Sequence, residues 1–260
     1  MTVQIAARQG APVALVTGGA GGLGSVIADR LARDGSTVII ADRDGDAAVR
    51  RAREVADAHG TEVVGWSADI STNEGNRELL RRVEATYGRL DQLVNNAAVN
   101  QSSGFGDIED AEWHALMAVN LWGPASLCQA AASLWRRTGG GAVVNISSRT
   151  WLSGGPLGYV SSKAGIVGLT RALAVELGPS NVTVNAVAPS TVLTPFVTAG
   201  RSEGDQAERA QRHRSMTALG RLATPADVAE AVAFLVSPRA AFITGEVLHV
   251  AGGAQLAPAP

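Results

Sequence analysis

The stretch Thr17-Gly18-Gly19-Ala20-Gly21-Gly22-Leu23-Gly24 follows the aliphatic run Val13-Ala14-Leu15-Val16 and leads straight into Gly24 to Arg33, where Val26, Ile27 and Leu31 recur at helical spacing. A short, nearly continuous apolar run reads as a strand buried on both faces. When such a strand enters a helix through glycines, the backbone can turn tightly and approach an anion. The first N–H groups of the helix and the positive end of its dipole then face that anion. A glycine-rich turn alone marks only a βα connection. Its weight here comes from the second strand, Thr37-Val38-Ile39-Ile40, which runs into Ala41-Asp42, with Asp42 lying 24 residues beyond Gly18. A carboxylate at that place suits the hydroxyls of an adenosine ribose, so the unit predicts dinucleotide binding.

Five further runs of the same kind follow: Glu62-Val63-Val64-Gly65, Gln92-Leu93-Val94, Ala142 to Ile146, Val182-Thr183-Val184-Asn185 and Glu246 to Val250. Helical patterns lie between them, at Ala47 to Ala58 and at Glu74 to Tyr87 with Leu79, Leu80 and Val83. Alternating strands and helices predict an α/β fold, a doubly wound parallel sheet of about seven strands with helices on both faces. Residues 1–260 contain no repeat and no linker and read as a single Rossmann-type domain carrying both cofactor and substrate sites. Only the ends, Met1 to Ala11 and Gln255 to Pro260, look loose. The polar segment Ala199 to Arg214, rich in acids and arginines, reads either as a solvated helix or as a lid over a pocket.

Composition narrows the function classes. The 260 residues are 46% apolar and 18% charged, with 22 basic and 24 acidic side chains and a net charge of −2, which gives no support to nucleic-acid binding. Cys128 is the one cysteine, so neither an internal disulfide nor a cysteine metal cluster is possible. No apolar run approaches ~18 residues, so no membrane span is expected. The start, Met1-Thr2-Val3-Gln4-Ile5, lacks a basic region before a long apolar stretch. No signal peptide is therefore expected, and a cytoplasmic location is. His59, His114, His213 and His249 are scattered without ligand spacing and read as structural or surface residues, with no metal.

Thr17-Gly18 with Gly22 and Gly24 resembles the fingerprint of the short-chain dehydrogenase/reductase family, and the resemblance continues in order from about Ala11 to Gly253. Asp69-Ile70 is similar to the family's adenine-contact pair. Asn95-Asn96-Ala97-Ala98 resembles its Asn-Asn-Ala-Gly motif, with Ala98 in place of glycine. Tyr159-Val160-Ser161-Ser162-Lys163 matches its Tyr-x-x-x-Lys signature, and Asn185 through Pro189 resembles the run before its nicotinamide loop. Gly220-Arg221-Leu222 and Thr244-Gly245 also fall where the family has them. The resemblance implies that Gly18, Gly22, Leu23, Gly24, Asp42, Arg43, Asp69, Ile70, Asn96 and Ala97 hold a nicotinamide dinucleotide. Tyr159, Lys163, Pro189, Val192 and Thr194 would hold its other half, Lys163 at the nicotinamide ribose, Val192 at the carboxamide and Thr194 at the pyrophosphate. NAD is expected over NADP, because Asp42 opposes a 2′-phosphate and Gly21 stands where NADP-using members place a basic residue; Arg43 is the counterweight, expected over the adenine face.

The chemistry follows from residue types. A free tyrosine is a poor base near neutral pH. A lysine four residues along a helix lies on the same face, and its charge is expected to lower the phenol's pKa. Tyr159 is thus the candidate acid/base and Lys163 its tuner. By resemblance, Ser148 polarises the substrate carbonyl, although it stands only 11 residues before Tyr159 with Ser147 beside it, and Asn120 holds a proton-relay water. Trp151, three residues after Ser148, is the candidate wall of the substrate pocket alongside Ser148 and Tyr159. With Leu152, Leu157 and Phe196 it suggests an apolar or cyclic substrate. The expected function is reversible hydride transfer between NAD(H) and a secondary alcohol or ketone, by a homotetramer or homodimer. One alternative is a 3-oxoacyl-carrier-protein reductase using NADPH; another, of a different class, is a non-catalytic dinucleotide-binding sensor.

Overall fold

Within β1 (Val13–Thr17) side chains alternate between two cores: Ala14 and Val16 face one, Val13 and Leu15 the other, and every one of the five residues is buried. That two-sided burial is what the continuous apolar runs encode. The computed structural model describes residues 10–198 and 202–256. Its chain order is β1, α1 (Gly22–Arg33), β2 (Thr37–Asp42), α2 (Gly45–His59), β3 (Val63–Ser67), α3 (Asn73–Tyr87), β4 (Gln92–Asn95), α4 (Asp110–Met117), a π-helical turn (Ala118–Trp122), α5 (Gly123–Thr138) and β5 (Gly141–Ile146). There follow α6 (Thr150–Ser153), α7 (Leu157–Leu177), β6 (Val182–Pro189), α8 (Pro195–Thr198), α9 (Glu203–Ser215), α10 (Pro225–Leu235) and β7 (Val247–Val250). All seven expected strands form.

The strands make one parallel sheet in the order β3-β2-β1-β4-β5-β6-β7. Ile27 and Leu31 of α1 and Val228 and Val232 of α10 cover one face. Leu79 and Val83 of α3, Leu127 and Trp135 of α5 and Leu177 of α7 cover the other. The order reverses between β1 and β4, and in such sheets the crevice at the carboxyl ends of those strands is where ligands bind. Among the described residues no helix is long and apolar enough to cross a membrane, and no group of three His, Cys, Asp or Glu side chains could hold a metal ion. Residues 199–201, part of the polar segment singled out above, and the outer parts of both ends lie outside the described residues.

Candidate active site

A cleft of about 870 Å³ opens at the carboxyl ends of the strands. Gly18, at φ 61°, makes the turn after β1; a Cβ there would stand 2.8 Å from the Ala97 Cα. At Gly24 a Cβ would come within 2.2 Å of the Gly18 carbonyl oxygen. The loop therefore needs both glycines to lie flat against β4. Thr17 and Asn96 fix that approach: Thr17 Oγ1 accepts from the Asn96 and Ala97 N–H groups at 3.1 and 3.2 Å, and Asn96 Nδ2 donates to the Thr17 and Gly18 carbonyls, both at 3.0 Å. Gly18, Gly22, Leu23 and Gly24 line the cleft at the N-terminus of α1.

Asp42 closes β2 beside this loop. Its Oδ2 accepts from Ala20 N and its Oδ1 from Asp44 N, both at 3.2 Å, so the carboxylate is held in place. Arg43, Asp69 and Ile70 follow along the same wall. Asp69 accepts from Ser71 Oγ and Ser71 N, which hold its carboxyl below the usual range. Ala97, Pro189, Val192 and Thr194 line the far side. A cradle that excludes a Cβ, a helix N-terminus and a fixed carboxylate at the second strand fit an adenine dinucleotide.

Tyr159 and Lys163 face the cleft from α7. The Ser148 hydroxyl accepts from Thr150 N at 3.3 Å and Thr150 Oγ1 at 2.9 Å, which leaves its own proton for a partner in the cleft that it lines together with Tyr159. Ser147 also lines the cleft but is 2% exposed and donates at 2.8 Å to the Lys163 carbonyl, so its hydroxyl is committed to anchoring α7. Lys163 Nζ donates to the Ile146 carbonyl at 2.8 Å and sits 5.7 Å from the tyrosine ring centre. Burial pushes the lysine down to about 8 and the Tyr159 phenol upward, the neighbouring Ser148 hydroxyl acting the other way. The expected lowering of the phenol by Lys163 is not what this geometry gives: desolvation dominates both groups and moves each toward its neutral form.

Asn120 lies at the middle of the π-helical turn, 1% exposed and outside the cleft lining. It accepts from Val99 N at 2.8 Å and donates to Val99 O at 3.0 Å and Ser162 Oγ at 3.1 Å. Ser162 in turn donates to the Tyr159 carbonyl at 2.7 Å, so Asn120 braces the turn of α7 that carries the tyrosine.

Two expectations are corrected. Trp151 is not a wall of the cleft. On the short α6 its ring turns toward β7 and stacks on His249, with centroids 5.9 Å apart. Of the four apolar residues expected around the substrate only Phe196 lines the cleft, its ring 6.3 Å from that of Tyr159; Leu152 and Leu157 are exposed. His213, expected to be structural or surface, lines the cleft with Arg209 one helical turn before it on α9, and His114 lines it too. Burial together with Arg209, Arg149 and Arg212 pushes His213 down to about 4. Sequence reasoning missed Arg149 altogether, although its place next to Ser148 was the available signal.

Comparisons with known proteins agree with this arrangement. A family model described as enoyl-(acyl carrier protein) reductase matches residues 18–255. The (2S)-[(R)-hydroxy(phenyl)methyl]succinyl-CoA dehydrogenase subunit BbsD of Thauera aromatica is 39% identical over 94% of this chain and 96% of its own. The 3-oxoacyl-[acyl-carrier-protein] reductase FabG of Aquifex aeolicus is 38% identical over 93% and 96%. The crystal structure of 3-ketoacyl-(acyl-carrier-protein) reductase from Brucella melitensis complexed with NADH superposes with a TM-score of 0.85 at 31% identity, covering 95% of this chain and all of that one. With a family model spanning nearly the whole chain and relatives of this identity, the chain belongs to the short-chain dehydrogenase/reductase family and is an oxidoreductase.

Proposed function

We propose that one Rossmann-type domain carries out reversible hydride transfer between NAD(H) and a secondary alcohol or ketone, with Tyr159 as the proton donor or acceptor at the substrate oxygen. The observation that carries this reading is that Ser148, Tyr159 and Lys163 line the same cleft as the glycine cradle. A bound nicotinamide supplies or takes the hydride. The Ser148 hydroxyl orients the substrate oxygen toward the phenol and polarises it. The phenol gives up its proton to an alkoxide or takes one from an alcohol. Lys163, whose Nζ donates to Ile146 O and sits 5.7 Å from the tyrosine ring centre, stands behind the tyrosine as the group that would hold the nicotinamide ribose. Replacing Tyr159 by Phe keeps the ring and removes the proton; turnover should fall below a tenth while dinucleotide affinity holds, and retention of more than that would remove Tyr159 from the role.

NAD is the preferred cofactor on the strength of Asp42. A 2′-phosphate beside it brings close to two negative charges. At about 5 Å and an effective dielectric near 20, each unit pair repels by roughly 3 kcal/mol before screening. Arg43 is exposed and beside Asp69, as suits stacking on an adenine. The measurement is kcat/KM with NADH and NADPH on one substrate: NADH should win by at least tenfold, and Asp42→Ala should narrow the gap. An unmoved ratio removes Asp42 as selector.

A second reading, reduction of a 3-oxoacyl thioester, is favoured by what the relatives' names say they act on. A panel of simple ketones against acetoacetyl-CoA separates the two. A dimer or tetramer is the assembly we propose, consistent with exposed Phe242, Leu219 and Leu256; light scattering measures it.

A further inference from the structure

Arg149 follows Ser148 directly, and its backbone N–H donates to the Pro189 carbonyl at 2.9 Å, so its side chain starts from a fixed point in the cleft wall. The residue is only 8% exposed. A guanidinium has five N–H donors. One of them is engaged, Nη1 to the Ala254 carbonyl at 3.3 Å. No carboxylate among the described residues forms an ion pair with it.

The other guanidinium nitrogens of Arg149 keep access to the cleft, so they can donate to a ligand there, and the charge has no carboxylate beside it. Arg209 and His213 of α9 line the same cleft; burial and the charges of Arg209, Arg149 and Arg212 push His213 down to about 4, so it is neutral near pH 7. A bound dinucleotide has an anion site of its own. Its phosphate cradle belongs to β1, two strand spacings from β5, or roughly 10 Å, and that cradle has its own N–H groups.

We propose that the wall formed by Arg149, with Arg209 and His213, is a subsite for a carboxylate borne by the substrate itself, so that the physiological substrates are hydroxy or oxo acids whose charged end docks on Arg149 while the reacting carbon lies at Ser148 and Tyr159. Planar guanidinium against planar carboxylate gives a bidentate pair and fixes orientation as well as affinity. Arg149 lines the same cleft as Ser148 and Tyr159, which favours a carboxylate on the reacting molecule over a phosphate of a carrier, whose pantetheine arm separates phosphate and thioester by many bonds. The inference rests on the proposed redox chemistry at Tyr159.

The test has a binding arm and a turnover arm. Calorimetry of the protein with NAD, titrated with acetoacetate and with levulinate, should give at least tenfold tighter binding than their methyl esters. Arg149→Met should abolish that preference and Arg149→Lys should keep part of it. In turnover with NADH, Arg149→Met should lower kcat/KM at least tenfold for the acids and leave the esters within threefold. Equal losses for acids and esters would reduce Arg149 to a structural role and overturn the proposal, as would a wild-type protein with no preference for acid over ester in binding. An Arg149-dependent carboxylate preference in binding, with no ketone reduced, would uphold the subsite and refute the redox reading. Sensitivity of acetoacetyl-CoA but not of its N-acetylcysteamine thioester to Arg149→Met would assign the anion to the carrier's phosphate and overturn the carboxylate.

Discussion

Replacing Lys163 by Met should change how stability depends on pH, and the change can be worked out from the burial of one ammonium. Folding strips water from Lys163, which is 3% exposed and finds a carbonyl but no carboxylate, so its pKa falls from 10.5 to about 8. Below pH 8 both folded and unfolded chains hold the proton, and the folded chain bears the full penalty, roughly 3 kcal/mol at about 1.4 kcal/mol per pH unit. Between pH 8 and 10.5 the folded chain has released the proton while the unfolded chain still binds it, so stability rises with pH and the penalty fades. From about pH 7 to about pH 9.5 the wild-type chain should gain about 2 kcal/mol relative to Lys163→Met, which has no proton to lose. Working below pH 10 leaves Tyr159 protonated in both, since burial raises its pKa. The assay is urea unfolding of both proteins at the two pH values and one protein concentration. A stability difference that stays constant, or moves against the wild type as pH rises, refutes a depressed Lys163.

Ser148→Ala should lower kcat by roughly 10²–10³, the usual cost of one lost oxyanion donor, with little change in stability; Ser147→Ala should do the reverse, losing roughly 1–2 kcal/mol with its bond to the Lys163 carbonyl. A larger rate loss at Ser147, measured side by side, would exchange their roles. Asn120→Ala strands Val99 N, Val99 O and Ser162 Oγ, and should cost roughly 2–4 kcal/mol of stability; kcat should fall with KM nearly unchanged, and an unaltered melting temperature would deny the brace. Gly24→Ala puts a Cβ 2.2 Å from the Gly18 oxygen. Dinucleotide affinity, followed by NADH fluorescence, should drop at least tenfold, and an unchanged Kd would show that the loop can move aside.

The sheet was legible because a strand covered on both faces must be apolar at nearly every position, and β1, β2, β5 and β6 write that requirement directly into short runs. The cradle was legible for a related reason: Gly18 and Gly24 have no room for a side chain, so glycine is forced there. Trp151 shows the limit. Being three residues from Ser148 says nothing of direction, and one helical turn in α6 sends its ring to His249. The π-helical turn around Asn120 was equally silent, since an extra residue in a turn leaves no compositional trace. Arg149 escaped because arginine is so often a surface residue that only its burial shows it to be exceptional.

The two cleft-lining groups of α7, Tyr159 and Lys163, depend on helix rotation, and the fold fixes that rotation with polar bonds where apolar packing alone would serve for stability. Asn95 Nδ2 donates to Asn145 Oδ1 at 2.8 Å, Asn145 Nδ2 to Thr170 Oγ1 at 3.0 Å, and Ser147 Oγ to the Lys163 carbonyl at 2.8 Å. These bonds run from β4 through β5 into α7, and apolar surfaces could slide where they cannot. A slip of one residue turns a helix by about 100° and would carry Tyr159 and Lys163 out of the cleft together. Hydrophobic contacts are non-directional and tolerate such a slip; a buried asparagine left without its partner does not. The penalty on the Lys163 ammonium is thus one part of a larger arrangement, in which the carboxyl end of the sheet gives up stability to hold a phenol, a hydroxyl and an ammonium in one orientation.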